Sequence, residues 1–207
     1  MNEQGTRRAA WAGHLVDLWR LVSFRYANPH SHSKLRNIKS VARRTGATQM
    51  IETGTYLGNT AMRCASRFER VYTIELDEEL ASRAAAYLRR RRNVEVIRGD
   101  ALVELPKILA RDGVERLLVY LDGHFSGGVT ALGDRPEPAC DEIEVLGRFK
   151  DRIRGVVVDD FRCFGVERGW PTKSALLRSI ETSFGGEFEI LVHLDQVLVM
   201  RIPAPAG

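Results

Sequence analysis

Three short aliphatic runs in this chain end in acidic residues. Met50-Ile51 leads into Glu52-Thr53-Gly54-Thr55-Tyr56-Leu57-Gly58, Leu121 into Asp122-Gly123-His124, and Val156-Val157-Val158 into Asp159-Asp160. Runs of this kind read as buried parallel strands, and open α/β sheets build their ligand sites at the carboxyl ends of such strands. Carboxylates gathered at one edge suit a hard divalent ion such as Mg²⁺, which keeps waters that a substrate hydroxyl can displace. Such an ion lowers the hydroxyl pKa and orients the oxygen. Asp122, Asp159 and Asp160 are therefore the expected ligands of Mg²⁺ or another divalent cation; capping of the following turn is the alternative for Asp159 and Asp160. Without an ion, clustered carboxylates repel one another and one tends to hold a proton. His124 lies two residues beyond Asp122, so in extended chain the two side chains point the same way. Its imidazole is the expected catalytic base, with fourth ligand or loop histidine as the other readings.

The first motif reads as a cofactor turn. Gly54 and Gly58 allow a tight passage from strand to helix, but the spacing is GxxxG rather than the GxGxxG of pyrophosphate binders. A carboxylate two residues before the first glycine repels phosphate and attracts an amino group or a sulfonium, which favours S-adenosylmethionine over NAD. Glu75 ends the run Val71-Tyr72-Thr73-Ile74, 23 residues after Glu52, where it can accept both ribose hydroxyls. Asp100 follows Ile97-Arg98-Gly99 and can meet the adenine, cap the helix that starts at Ala101, or do both.

Glu52-Thr-Gly-Thr-Tyr-Leu-Gly-Asn-Thr60, Tyr72-Thr-Ile-Glu75, Leu121-Asp122 and Val158-Asp159-Asp160 together resemble the class I S-adenosylmethionine-dependent methyltransferases. The likeness is to the metal-dependent O-methyltransferases of the catechol O-methyltransferase type and to the macrocin and aminocoumarin sugar O-methyltransferases, over roughly residues 45 to 202. It implies a doubly wound, Rossmann-like α/β sheet of seven strands, mostly parallel with an antiparallel C-terminal hairpin. It also implies a cofactor site of Glu52, Gly54, Tyr56, Gly58, Thr60, Glu75, Asp100 and Asp122, and methyl transfer to a hydroxyl of a small molecule such as a secondary metabolite, sugar or phenol. The chain departs from the resemblance at His124, where the catechol enzymes place a lysine and the sugar enzymes an aspartate. Three other readings stand beside this one: a metal-independent enzyme of the same fold acting on a carboxylate or nitrogen, a nucleic-acid methyltransferase, and a non-catalytic S-adenosylmethionine-binding module. Against nucleic acid, Leu-Asp-Gly-His stands where an Asn/Asp-Pro-Pro-Tyr signature would hold a flipped base.

The elements that must position these residues alternate from about residue 34 onward. Helices are expected over Lys34 to Arg44, Asn59 to Phe68, Glu78 to Arg91, Leu102 to Arg111 and Cys140 to Phe149. Strands are expected at Thr48 to Glu52, Val71 to Glu75, Val94 to Ile97, Leu117 to Leu121 and Gly155 to Val158. Glu187 to His193 and Gln196 to Ile202 read as a hairpin joined at Leu194-Asp195. Ahead of the main domain, Trp11, Leu15, Leu18, Trp19 and Val22 have helical spacing. Residues 1–44 are expected to form a helical extension on the core, a lid, or a contact between two copies, and residues 45–207 the methyltransferase domain. His30 and His32 fall in a polar loop without further ligands. The glycine-rich stretch from Phe125 to Pro138 reads as a mobile cover or a surface loop, and Phe161, Arg162, Phe164 and Trp170 as an acceptor pocket or core.

The composition of the 207-residue chain, 44% hydrophobic and 28% charged, is that of a globular protein. No apolar run reaches the ~18 residues of a membrane span and the N-terminus has no secretory core, so a cytoplasmic, membrane-free protein is expected. Cys64, Cys140 and Cys163 are too scattered for a zinc site and read as free thiols. Much of the net charge of +4 sits in Arg89-Arg90-Arg91-Arg92, at a helix end and without interleaved aromatics, which fits helix capping better than nucleic-acid binding.

Overall fold

The computed structural model describes residues 31–122 and 137–203, together with Leu15, Val16, Leu18 and Trp19. The expectations for His124, for the segment 125–136, and for Trp11, Val22 and His30 fall outside the described residues. Seven strands are present: β1 Gln49–Thr53, β2 Arg70–Glu75, β3 Val94–Arg98, β4 Leu117–Leu121, β5 Ile153–Val158, β6 Phe188–His193 and β7 Gln196–Arg201. They form one sheet in the order β3-β2-β1-β4-β5-β7-β6, in which β1 to β5 run parallel and β7 is antiparallel to both β5 and β6. The expected fold class is thus the observed one. The order reverses between β1 and β4, the switch point at which such sheets open a ligand crevice.

Helices cover both faces: α1 Ser31–Thr45, α2 Asn59–Cys64, α3 Glu78–Leu88, α4 Ala101–Leu109, α5 Ala139–Gly147 and α6 Lys173–Phe184. Strand alternation sends Ile51, Ile74, Val119, Val156 and Val199 into one core with α4, α5 and α6. It sends Met50, Val71, Leu118, Val157 and Leu198 into a second core with α1, α2 and α3. In that second layer α1 lies against β5 and β7 through Leu35, Ile38, Val41 and Ala42, all buried. Gly155 makes this approach feasible, since a Cβ there would come within 2.6 Å of Val41 Cγ1.

One reading needs correction, one helix was missed, and one open alternative is decided. The helix expected from Lys34 begins at Ser31, so the supposed polar loop containing His32 is already helical there. Helix α6 went unread, although Thr172 caps it by accepting from the Ala175 amide at 3.1 Å and Leu176, Ile180 and Phe184 mark its buried stripe. Phe164 is core: it is 1% exposed and packs edge-on against Trp170, with ring centroids 5.0 Å apart. In the N-terminal segment, Leu15, Val16, Leu18 and Trp19 are helical and exposed.

Candidate active site

The strand ends meet at one level. Register pairs Thr53 with both Ile74 and Leu121, and Leu121 with Val158. The Asp122 amide donates to the Thr53 carbonyl at 3.1 Å, and the Asp159 amide to the Leu121 carbonyl at 3.0 Å. The glycine turn, Glu75, Asp122 and the Asp159-Asp160 pair therefore leave the sheet side by side, as the sequence suggests.

On the cofactor side, the turn from β1 to α2 folds over the end of β2. Gly54 and Gly58 take positive φ, 83° and 74°. At Gly58 a side chain would also strike Leu88, whose Cδ1 lies 2.9 Å from the position of a Cβ. Tyr56 adopts φ 48°, uncommon for a residue with a Cβ, and is held there by its amide, which donates to Glu75 Oε2 at 2.7 Å. Glu75 Oε1 accepts from the Asp77 amide at 3.0 Å. Two backbone donors thus aim the Glu75 carboxylate while each oxygen keeps further acceptor capacity. Asp100 caps α4 by accepting from the Leu102 amide at 2.8 Å. Exposed Leu76 and Val103, close in sequence to Glu75 and Asp100, offer apolar surface at the same edge; sequence reading overlooked them.

Glu52 does not lie open to a ligand. It is 1% exposed, and its Oε2 accepts from Thr73 Oγ1 at 2.7 Å; Thr73 is in turn 2.6 Å from Thr55 Oγ1. Burial pushes its carboxyl up to about 8 and the charge of Glu75 adds to this, against the opposing hydrogen bonds of Thr73 and Thr60. Thr53 Oγ1 and Asn59 Oδ1, on either side of the glycine turn, are buried without a hydrogen-bond partner among the described residues. A carboxyl held neutral and two unused oxygens therefore lie around the glycine turn.

The carboxylate side holds an arrangement that sequence reading missed. Lys34, in the first turns of α1, places its ammonium 2.7 Å from Asp159 Oδ1, 2.5 Å from Asp160 Oδ1 and 3.5 Å from Asp195 Oδ2. Arg162 also pairs with Asp160 and Asp195, and its amide donates to Asp195 Oδ1 at 2.7 Å. Asp160 sits at φ 51°, with its amide donating to Asp159 Oδ1 at 2.8 Å. The buried Tyr120 hydroxyl donates to Asp159 Oδ2 at 2.5 Å and has Asp122 Oδ2 at 3.2 Å on its other side. Burial first, and then the charges of Asp122 and Asp159, push the Tyr120 phenol well above its ordinary value, so it remains a donor. Burial pulls the Lys34 ammonium down, but Asp159 and Asp160 outweigh it and raise the pKa, so Lys34 stays charged.

The expected divalent ion does not fit these side chains as they stand. Both oxygens of Asp159 are engaged by protein donors, and Asp160 Oδ1 is shared between two cations. Among the described residues no group of three or more acidic, histidine or cysteine side chains is disposed to hold a metal. One sequence signal pointed to Lys34: it lies four and seven residues before Ile38 and Val41, on the apolar face of α1, where an unpaired charge would be costly. Cys64 is buried, which pushes its thiol up to about 12, and Cys140 and Cys163 are half-buried free thiols, also raised by burial.

No family model matches the chain. Among solved structures, the O-methyltransferase TomG from Streptomyces achromogenes, crystallised with S-adenosylmethionine, superposes with a TM-score of 0.55 at 19% identity, over 84% of this chain and 81% of that one. The O-methyltransferase from Bacillus cereus, with S-adenosylhomocysteine, gives 0.59 at 17% identity over 82% and 81%. In sequence, the ribosomal RNA small subunit methyltransferase A of Acidobacterium capsulatum is 39% identical over 89 residues, which is 43% of this chain but 31% of that relative. The seven-stranded order, the glycine turn and these superpositions agree: the chain has the class I fold of the S-adenosylmethionine-dependent O-methyltransferases.

Proposed function

We propose that the chain transfers the methyl group of S-adenosylmethionine to a hydroxyl oxygen of a small acceptor, a secondary metabolite, sugar or phenol. The observation that carries this reading is the Glu75 carboxylate, aimed by the Tyr56 and Asp77 amides at the edge where the glycine turn opens. When bound, S-adenosylmethionine would supply a methyl group activated on its sulfonium, with Glu75 and the glycine turn as the residues that would hold it. Glu75 accepts the ribose hydroxyls, and the exposed Leu76 and Val103 offer apolar surface to the adenine. Tyr56, Gly58 and Thr60 shape the turn, with Glu52 beneath it. The acceptor proton passes to a base at the end of β4, where His124 is the proposed group and Asp122 the neighbouring carboxylate.

Calorimetry with S-adenosylmethionine, followed by a screen of hydroxylated metabolites for S-adenosylhomocysteine release, tests the reading; cofactor binding without release from any acceptor would favour a binding module. The engaged carboxylates support the metal-independent form of the enzyme over the metal-dependent one, and with it carboxylate or nitrogen acceptors gain ground. An RNA acceptor is a second reading, supported by the likeness to the ribosomal RNA enzyme and by exposed Arg89 to Arg92 after α3. RNA binding that weakens steeply with salt and with replacement of those arginines would favour it. Exposed Leu15, Leu18 and Trp19 support a contact between two copies through the N-terminal helix. No helix among the described residues is long and apolar enough to cross a membrane.

A further inference from the structure

We propose that Lys34 is a resident counter-cation among Asp159, Asp160 and Asp195, engaging two of the three expected ion ligands so that this site works without metal. The inference rests on the methyl-transfer reading only for what the site is used for; the cation exchange itself concerns the carboxylates. Two segments deliver those carboxylates: Asp159 and left-handed Asp160 directly after β5, and Asp195 in the turn between β6 and β7. A compact ammonium with three divergent N–H donors is suited to reach all three, while the Arg162 guanidinium pairs with two of them, Asp160 and Asp195.

The lysine is built in rather than resting there. It is 7% exposed, and the helix that carries it is fixed at two further points. Asn37, one turn on, donates to the His193 carbonyl and to Gln196 Oε1, both at 2.8 Å, and Val41 packs into the space left by Gly155. Moving the ammonium aside for an ion would break its contacts to Asp159, Asp160 and Asp195 at once. The charge balance points the same way. Lys34 and Arg162 offset two of the three negative charges of Asp159, Asp160 and Asp195, so a dication entering beside them would meet two cations already paired with these carboxylates.

The test is a Mn²⁺ titration of the full chain followed by electron paramagnetic resonance, on the wild type, Asp159→Asn, Lys34→Met, Lys34→Gln and the double variant Lys34→Met with Asp159→Asn. The wild type should leave the free-ion signal undiminished. The two single Lys34 variants should take up one Mn²⁺ per chain, with a rise in unfolding temperature that the wild type does not show, and the double variant should lose that uptake. Wild-type uptake of one Mn²⁺, abolished by Asp159→Asn, would overturn the proposal even if no Lys34 variant folds. So would folded Lys34→Met and Lys34→Gln chains that take up none. Calorimetry of S-adenosylmethionine on the wild type separates the two claims: failure there removes the methyl-transfer reading and leaves the Mn²⁺ result standing.

Discussion

Replacing Glu52 by glutamine should flatten the pH dependence of stability. The Glu52 carboxyl is 1% exposed and raised from its ordinary 4.5 to about 8, chiefly by burial. A carboxyl raised on folding contributes its full stability below the unfolded pKa and loses it as pH climbs through the folded one. For Glu52 the loss therefore begins near pH 4.5 and is complete a little above pH 8. At ~1.4 kcal/mol per pH unit the span from 4.5 to about 8 amounts to about 5 kcal/mol, most of it already lost at pH 7. Glutamine keeps the shape and can still accept from Thr73 Oγ1, but has no proton to lose. Urea unfolding of both chains between pH 5 and pH 9 should show the wild type falling away from the variant as pH rises, with unchanged m-values. Parallel curves would refute the burial argument. S-adenosylmethionine adds a second readout, because a cation bound above Glu52 favours its charged form. Binding at pH 7 should release a proton in the wild type and not in Glu52→Gln, which calorimetry in buffers of different ionisation enthalpy detects.

Lys34→Met removes one partner of a buried ion cluster and should cost about 3–5 kcal/mol in denaturant unfolding. Glu75→Ala should weaken S-adenosylmethionine binding by about ten- to a hundredfold, measured by calorimetry, and equal affinity would remove Glu75 from the ribose. Gly155→Ala should destabilise by about 1–3 kcal/mol as its methyl displaces Val41, with faster hydrogen exchange in α1 as the local sign. His124→Ala should lower turnover by about a hundredfold or more while S-adenosylmethionine still binds, with the acidic limb of the pH–rate profile lost.

The sheet was legible because its strands carry their own signals. Leu117–Leu121 is an unbroken apolar run that needs no partner to be recognised, and Leu194-Asp195 marks the hairpin by its brevity. Both turn residues take positive φ, 50° and 63°, as a two-residue hairpin turn requires, although neither is glycine. The carboxylates were placed at the right edge for the same reason. What they do there was not legible, because their partner comes from far away in the chain: Lys34 and Asp160 are 126 residues apart. Three aspartates seen without that lysine ask for an ion. Burial was hidden in the same way: Glu52 looks like a ligand in the motif, and only the packing of Thr73 and Thr55 around it shows a carboxyl enclosed by protein.

The position of β7 between β5 and β6 has a consequence for how the chain is made. Val156, Val157 and Val158 are fully enclosed once β7 pairs with them, yet β7 is supplied by residues 196–201, some forty residues later. During synthesis from the N-terminus, β5 therefore waits as an open edge strand of three consecutive valines, with its amides and carbonyls on offer to any other extended chain. The turn that Asn37 grips is absent for the same interval, since its partners His193 and Gln196 lie 156 and 159 residues downstream. Closure is thus a late, long-range event of the kind that slows folding and exposes a nascent chain to aggregation. A released chain that ended near residue 187 would hold the parallel strands β1 to β5 with β5 as an unpaired border.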